Sequence, residues 1–139
     1  MKKLVFFVLL LPIISFSQDL DKHLWKNRLI LVLADSYENS KFTKQLREFN
    51  TNTDDLQDRK LIVYQITPTS YQKGIKKSDA IKNNTLFKRY NSSNEDFKII
   101  LIGLDGGIKL ESNKLVSASL IFEQIDQMPI RKQELRIKN

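Results

Sequence analysis

The chain contains no cysteine, so it can build no disulfide, thiolate nucleophile, iron–sulfur cluster or Cys-based zinc site. Histidine occurs once, as His23, flanked by Asp19, Asp21 and Trp25. One imidazole among scattered carboxylates does not make a metal centre, and no Gly-x-Ser-x-Gly elbow exists for it to activate, so a surface or packing role is expected. Asp54, Asp55 and Asp58 lack the spacing and the central glycine of a calcium loop and read as a solvated turn. Glycine is scarce, with four in 139 residues. Three of them lie in Gly103–Gly107, which lacks the Gly-Lys-Ser/Thr ending of a phosphate loop and precedes a short strand, so a hairpin turn is expected. Neither a metal nor a cofactor is expected.

No apolar run reaches the roughly 20 residues needed to span a bilayer. The longest, Leu4 to Phe16, is interrupted by Pro12 and Ser15, follows the basic pair Lys2-Lys3 and ends in Ser15-Phe16-Ser17, a small-x-small pattern. This is the layout of a cleaved export signal over residues 1–17, with Gln18 as the first mature residue and no membrane span afterwards. With no cysteine after the apolar run, a lipoprotein signal is excluded. Residues 18–139 are read as one domain, with its core over about 24–130 and a charged tail. The expected destination is periplasmic or extracellular, where a protein without disulfides must hold its fold by packing.

In that domain, Arg28 to Ala34 (RLILVLA) is a continuous apolar run of strand length, as expected for a strand covered on both faces. Phe42, Leu46 and Phe49 follow at helical spacing over Glu38 to Asn50, with Asp35 or Ser36 placed to cap the helix and Glu38 to complement its dipole. Residues 51–58 read as a loop or a capped turn, and Leu61 to Tyr64 as a second buried strand, which completes a parallel, right-handed βαβ unit. From Ile66 to Asp96 the period is broken by Pro68, Gly74 and clusters of Asn and Ser, leaving one short helix near Leu86 to Tyr90. Phe97 to Ile102 and Ile108 to Glu111 flank the Asp-Gly turn as a hairpin. A last helix, capped by Ser117 or Ser119, presents Leu120, Ile121, Gln124, Ile125 and Met128 on one face and stops at Pro129. This order predicts an α/β fold of thioredoxin-like type, β-α-β then a β-hairpin and a C-terminal helix around a four-stranded mixed sheet.

Several local motifs agree with one family. Leu24-Trp25-Lys26-Asn27-Arg28 leading into the first strand, the helix with Gln45, Asp58-Arg59-Lys60-Leu61, Leu101 to Lys109 (LIGLDGGIK) and Ile125 to Arg131 (IDQMPIR) resemble the DUF4174 family. The most specific are Ile-Gly-x-Asp-Gly-Gly-x-Lys and Ile-Asp-x-Met-Pro-x-Arg, with Ile130 where a second Met is usual. The resemblance implies a peroxiredoxin-like branch of the thioredoxin superfamily, found in bacterial exported proteins and as repeated domains of some animal extracellular matrix proteins, with no assigned function. A working thioredoxin needs a low-pKa cysteine where the first helix begins. Here that loop reads Ala34-Asp35-Ser36-Tyr37-Glu38-Asn39, and the residue before Phe97, where a thioredoxin places its substrate-binding proline, is Asp96. Thiol exchange and thiol-based peroxide reduction are therefore excluded.

Two surfaces remain as binding candidates. The loop Asp35, Ser36, Tyr37 and Glu38 lies where an open α/β sheet presents its ligand crevice, at the carboxyl ends of parallel strands. The second is basic: Lys73, Lys76, Lys77, Lys82, Lys88 and Arg89 face Asp79 alone within residues 71–90. Lys73, Lys76 and Lys77 are its candidate anion contacts, with Arg131 as either a further anion contact or a fixed ion pair. Charge of this kind suits an anionic envelope component, and export disfavours nucleic acid. The expected function is a binding or scaffolding module for an unknown protein or envelope partner. The alternative is an enzyme, either a non-thiol hydrolase or a degenerate relic of a peroxiredoxin-like reductase.

Overall fold

The computed structural model describes residues 18–139, and the expected export signal over residues 1–17 lies outside the described residues. After a short helix α1 (Gln18–Asp21), the chain enters β1 (Arg28–Ala34), crosses by α2 (Ser40–Asn50) and α3 (Thr53–Asp58), and returns in β2 (Leu61–Ile66). Strands β3 (Ser70–Lys73) and β4 (Ile81–Lys82), helix α4 (Thr85–Tyr90), the hairpin β5 (Phe97–Ile102) and β6 (Ile108–Ser112), and helices α5 (Ala118–Asp126) and α6 (Pro129–Lys138) follow. The sheet order is β4-β3-β2-β1-β5-β6. β1 pairs parallel to β2, with Arg28 opposite Leu61, and antiparallel to β5, with Leu31 opposite Ile100.

Every residue of β1 is buried because both faces of the sheet are covered. Ile30, Val32 and Ala34 point towards α2, α3 and α5, where Phe42, Phe49, Leu56, Ile121 and Ile125 pack on them. Leu29, Leu31 and Leu33 point the other way, onto Leu20, Tyr64, Leu86, Phe87 and Ile100. The period of two along β1 thus feeds two separate cores. Gln45, 1 % exposed, ties α2 to the segment before α5: its amide donates to the Val116 carbonyl at 2.7 Å and accepts from the Val116 N–H at 2.9 Å.

The sheet has six strands where four were expected. The two additional ones are short, with β3 pairing over Tyr64–Ile66 and β4 over two residues, too brief to carry a period of their own. The tail is also a correction. Pro129 both ends α5's approach and opens α6, where its missing N–H falls on a position with no helical acceptor. On α5 the buried set is Ala118, Ile121, Phe122 and Ile125, while Leu120 faces out. At the hairpin only Gly106 takes a positive φ, 80°, and the Asp105 carboxylate accepts from the Gly107 N–H at 2.9 Å.

Helix α6 is held by charge. Its one buried residue is Arg131, 3 % exposed, whose guanidinium donates to Asp58 at 2.6 Å, Asp126 at 3.2 Å and Glu134 at 3.3 Å, and to the Asp58 carbonyl at 3.0 Å. Arg59 pairs with Asp126 at 2.8 Å and Lys138 with Asp58. Lys138 and Arg131 hold the Asp58 carboxyl down at about 2. Burial alone would raise Asp126 and Glu134, but Arg59 and Arg131 on the first and Arg28 and Arg131 on the second outweigh it and hold both below the usual range. His23 shifts the other way relative to its charged form. Burial lowers its pKa below the ordinary 6.5, with Lys73, Lys22 and Lys26 adding to the effect and the Asn27 hydrogen bond opposing it. Its Nδ1–H donates to Asn27 Oδ1 at 3.1 Å, because that oxygen can only accept, and Nε2 accepts from the Tyr64 hydroxyl at 2.7 Å.

Stability should therefore fall in two stages on acidification. The neutral His23 contributes above pH 6.5 and its contribution is lost as pH falls through that value towards the lowered folded pKa. The three carboxylates contribute above about pH 4 and lose their contribution as pH falls through their lowered folded values, about 2 for Asp58. Urea midpoints measured from pH 7.5 to 2.5 check this. A profile flat between pH 7 and 5 would show that His23 is not held neutral.

Candidate functional site

At the carboxyl ends of β1 and β2 an open crevice of about 470 Å³ runs between α2 and the turn after β3. The loop leaving β1 forms one wall. Tyr37 reaches across it, its hydroxyl 2.8 Å from Ser70 Oγ at the start of β3, with its ring edge-on to Phe42 at 5.9 Å. Glu38 is exposed beside it. On the opposite side, residues 73–77 form a strap over the sheet edge. Gln65 donates to the carbonyls of Gly74 at 2.8 Å and Ile75 at 3.1 Å, and Gln72 accepts from the Ser78 N–H at 3.1 Å. Gly74 has φ 98°, a conformation that side chains rarely adopt, and it turns the strap so that Ile75 packs inward. Lys77, at the end of the strap, lines the crevice together with Tyr37 and Glu38.

The floor of the loop is fixed by a residue the sequence reading did not single out. The N-cap of α2 is Asn39, where Asp35 or Ser36 was expected. Its side-chain oxygen accepts from the Lys41 and Phe42 N–H groups at 3.0 and 3.2 Å, and its amide donates to Asp35 Oδ1 at 3.0 Å and to the Asp96 carbonyl at 3.1 Å. Asp96 O also accepts from the Asp35 N–H at 3.1 Å, so the loops after β1 and before β5 are stitched together. The helix begins at Ser40, directly after this cap. The available signal was Asn39 itself, a strong capping residue three positions before Phe42.

The expected site residues separate as follows. Tyr37, Glu38 and Lys77 meet in the crevice. Asp35 lies outside its lining, exposed and bonded to Asn39, and Ser36 contributes its carbonyl to the Asn39 N–H at 3.3 Å. Lys76 is exposed and Lys73 lines a different hollow. Arg131 forms the fixed ion pair of its two readings, its donors directed to Asp58, Asp126 and Glu134. His23 is buried in the second core. Among the described residues no group of three or more His, Asp or Glu side chains is placed to hold a metal ion, and no helix is long and apolar enough to cross a membrane.

In fold the chain is similar to the crystal structure of reduced Plasmodium vivax 2-Cys peroxiredoxin, with a TM-score of 0.57 over 83 % of each chain and 13 % sequence identity. Identity that low speaks for the fold alone, and it makes the fold thioredoxin-like. No curated protein matches the sequence. The family model for DUF4174, a domain of unknown function, matches residues 19–134, and on that match the chain belongs to the DUF4174 family.

Proposed function

We propose that this protein is an exported binding module that engages a polypeptide partner through the crevice at the carboxyl ends of β1 and β2. The observation that carries the reading is the convergence of Tyr37, Glu38 and Lys77, because the loop after β1 and the basic strap, far apart in sequence, form the two walls of one crevice. The walls present an anion, a cation and an aromatic ring within a mixed polar and apolar recess, which suits an extended segment carrying both charges. Rigidity supports the same reading. Tyr37 is fixed by Ser70, the loop by Asn39 and the strap by Gln65 and Gln72, so little order has to be imposed on binding. The position is the one where a thiol relative would carry its cysteine, and this chain has no sulfur to oxidise or exchange there. The basic n-region, apolar run and Ser-x-Ser pattern of residues 1–17 support export, with Gln18 as the first mature residue.

The purified mature protein should neither reduce insulin disulfides nor consume peroxide above a buffer control. Affinity capture from its own cell envelope should retain a partner that Glu38→Lys and Lys77→Glu each release, at unchanged melting temperature, and that Lys132→Glu on exposed α6 does not. If both crevice variants capture the partner as well as the native chain does, the crevice is not the binding surface.

A further inference from the structure

On the other side of Ile75 from the crevice the sheet edge is unfinished. β3 pairs with β2 only over Tyr64–Ile66, so among the described residues no strand lies beside Leu61–Val63 on that side, and the Gly74 N–H closes the edge on the Val63 carbonyl at 2.7 Å. A hollow of about 530 Å³ occupies the space between α3, the start of β2 and the strap. Its floor is hydrocarbon, from Leu56, Leu61, Val63 and Ile75 on the face of the first core, with Ile62 lining it from the other side of the strand. Lys60 and Lys73 stand at its rim, and among the described residues no Asp or Glu lines it. Lys60 has a loose ion pair, its ammonium 3.8 Å from Glu134, and among the described residues no carboxylate lies within ion-pair distance of the Lys73 ammonium.

We propose that this hollow binds an amphipathic anion, a single linear acyl chain ending in a carboxylate. The volume lies within the range of small-molecule sites, and an apolar floor open to water gains free energy when a hydrocarbon chain covers it. Sign decides the head group. Lys60 and Lys73 flank the Leu61–Val63 stretch on long flexible stems, so a carboxylate at either end of the hollow meets an ammonium, whereas a cationic head would meet like charge with no Asp or Glu among the described lining residues. A recess of this kind takes one chain and not a bilayer, which is met by a protruding apolar face. The site is distinct from the crevice and shares only Ile75 with it.

Calorimetric titration of the mature protein with hexanoate, octanoate and decanoate, each kept below its micelle concentration, tests the proposal. Saturable 1:1 binding is expected, tightening about fourfold per added methylene until the chain outgrows the floor. Decylammonium should not compete. Lys73→Glu and Lys60→Glu should each weaken decanoate about tenfold or more. Gln57→Trp, an exposed α3 position on the hollow's wall, should block it by filling the space without touching the core. No saturable decanoate binding, equal affinity for decanoate and decylammonium, or an affinity unchanged in Lys73→Glu would each overturn it. Partner capture through Glu38 and Lys77 is read separately, so either result can fail alone.

Discussion

Glu134→Ala is expected to lower the free energy of unfolding by about 3 to 5 kcal/mol, the cost of stranding a buried charge. The charge is Arg28, the first residue of β1 and 1 % exposed. Its Nη1 and Nη2 donate to the two Glu134 oxygens at 3.3 and 3.4 Å, Nη1 also donates to the Arg59 carbonyl at 2.9 Å, and Nε is buried with no partner among the described residues. Without Glu134 the guanidinium would keep one backbone carbonyl, that of Arg59. Arg28→Met makes the complementary change. It removes the buried cation and leaves an apolar stem, while Glu134 keeps Arg131 at 3.3 Å and Lys60 at 3.8 Å. The two variants of one pair should therefore differ, with Glu134→Ala the more damaging in urea unfolding at pH 7. Equal losses would mean that the burial of Arg28, and not the pairing, sets the cost.

That same network explains why α6 was not legible in the sequence. A helix is recognised by its apolar stripe, and the buried residue of α6 is an arginine, whose partners Asp58 and Asp126 come from α3 and α5. Such a segment reads as a charged tail until the carboxylates are known to be beside it. β1, β2, α2 and the β5–β6 hairpin were legible for the opposite reason. Their signals are local: a run of seven apolar residues, a 3.6-residue stripe and an Asp-Gly turn. β3 was missed because Ser70–Lys73 alternates over too few residues, and its identity as a strand comes from Tyr64–Ile66 across the ladder. The crevice was half legible. Topology placed the loop after β1 at the ligand end of the sheet, but the approach of Lys77 depends on a strap anchored by Gln65 and Gln72. A buried glutamine in the otherwise apolar β2, answered by a second in β3, is the trace such an anchor leaves in the sequence.

Leu31→Ala should cost about 2 to 5 kcal/mol, the range for truncating a fully buried leucine. Leu31 sits in the middle of β1, between Tyr64 of β2 and Ile100 of β5, and its side chain is wholly buried in the core beneath α1 and α4. The two sheet neighbours are held in register by ladders on both sides and cannot move into the space. Collapse could come only from the helical cover, and that cover is thin: α1 has four residues and α4 six, contributing Leu20, Leu86 and Phe87. Such short helices can shift more readily than α2 or α5 over the opposite core, which places the expected loss in the lower half of the range. Phe49→Ala, wholly buried between α2 and the opposite face, should lie at about 3 to 5 kcal/mol, because the eleven-residue α2 is fixed there by Gln45 on Val116. Urea unfolding with an unchanged slope would report these as losses of native stability. A Leu31→Ala loss below about 1 kcal/mol would mean that the second core is not packed as described, and a loss greater than that of Phe49→Ala would mean that its thin cover is as rigid as α2.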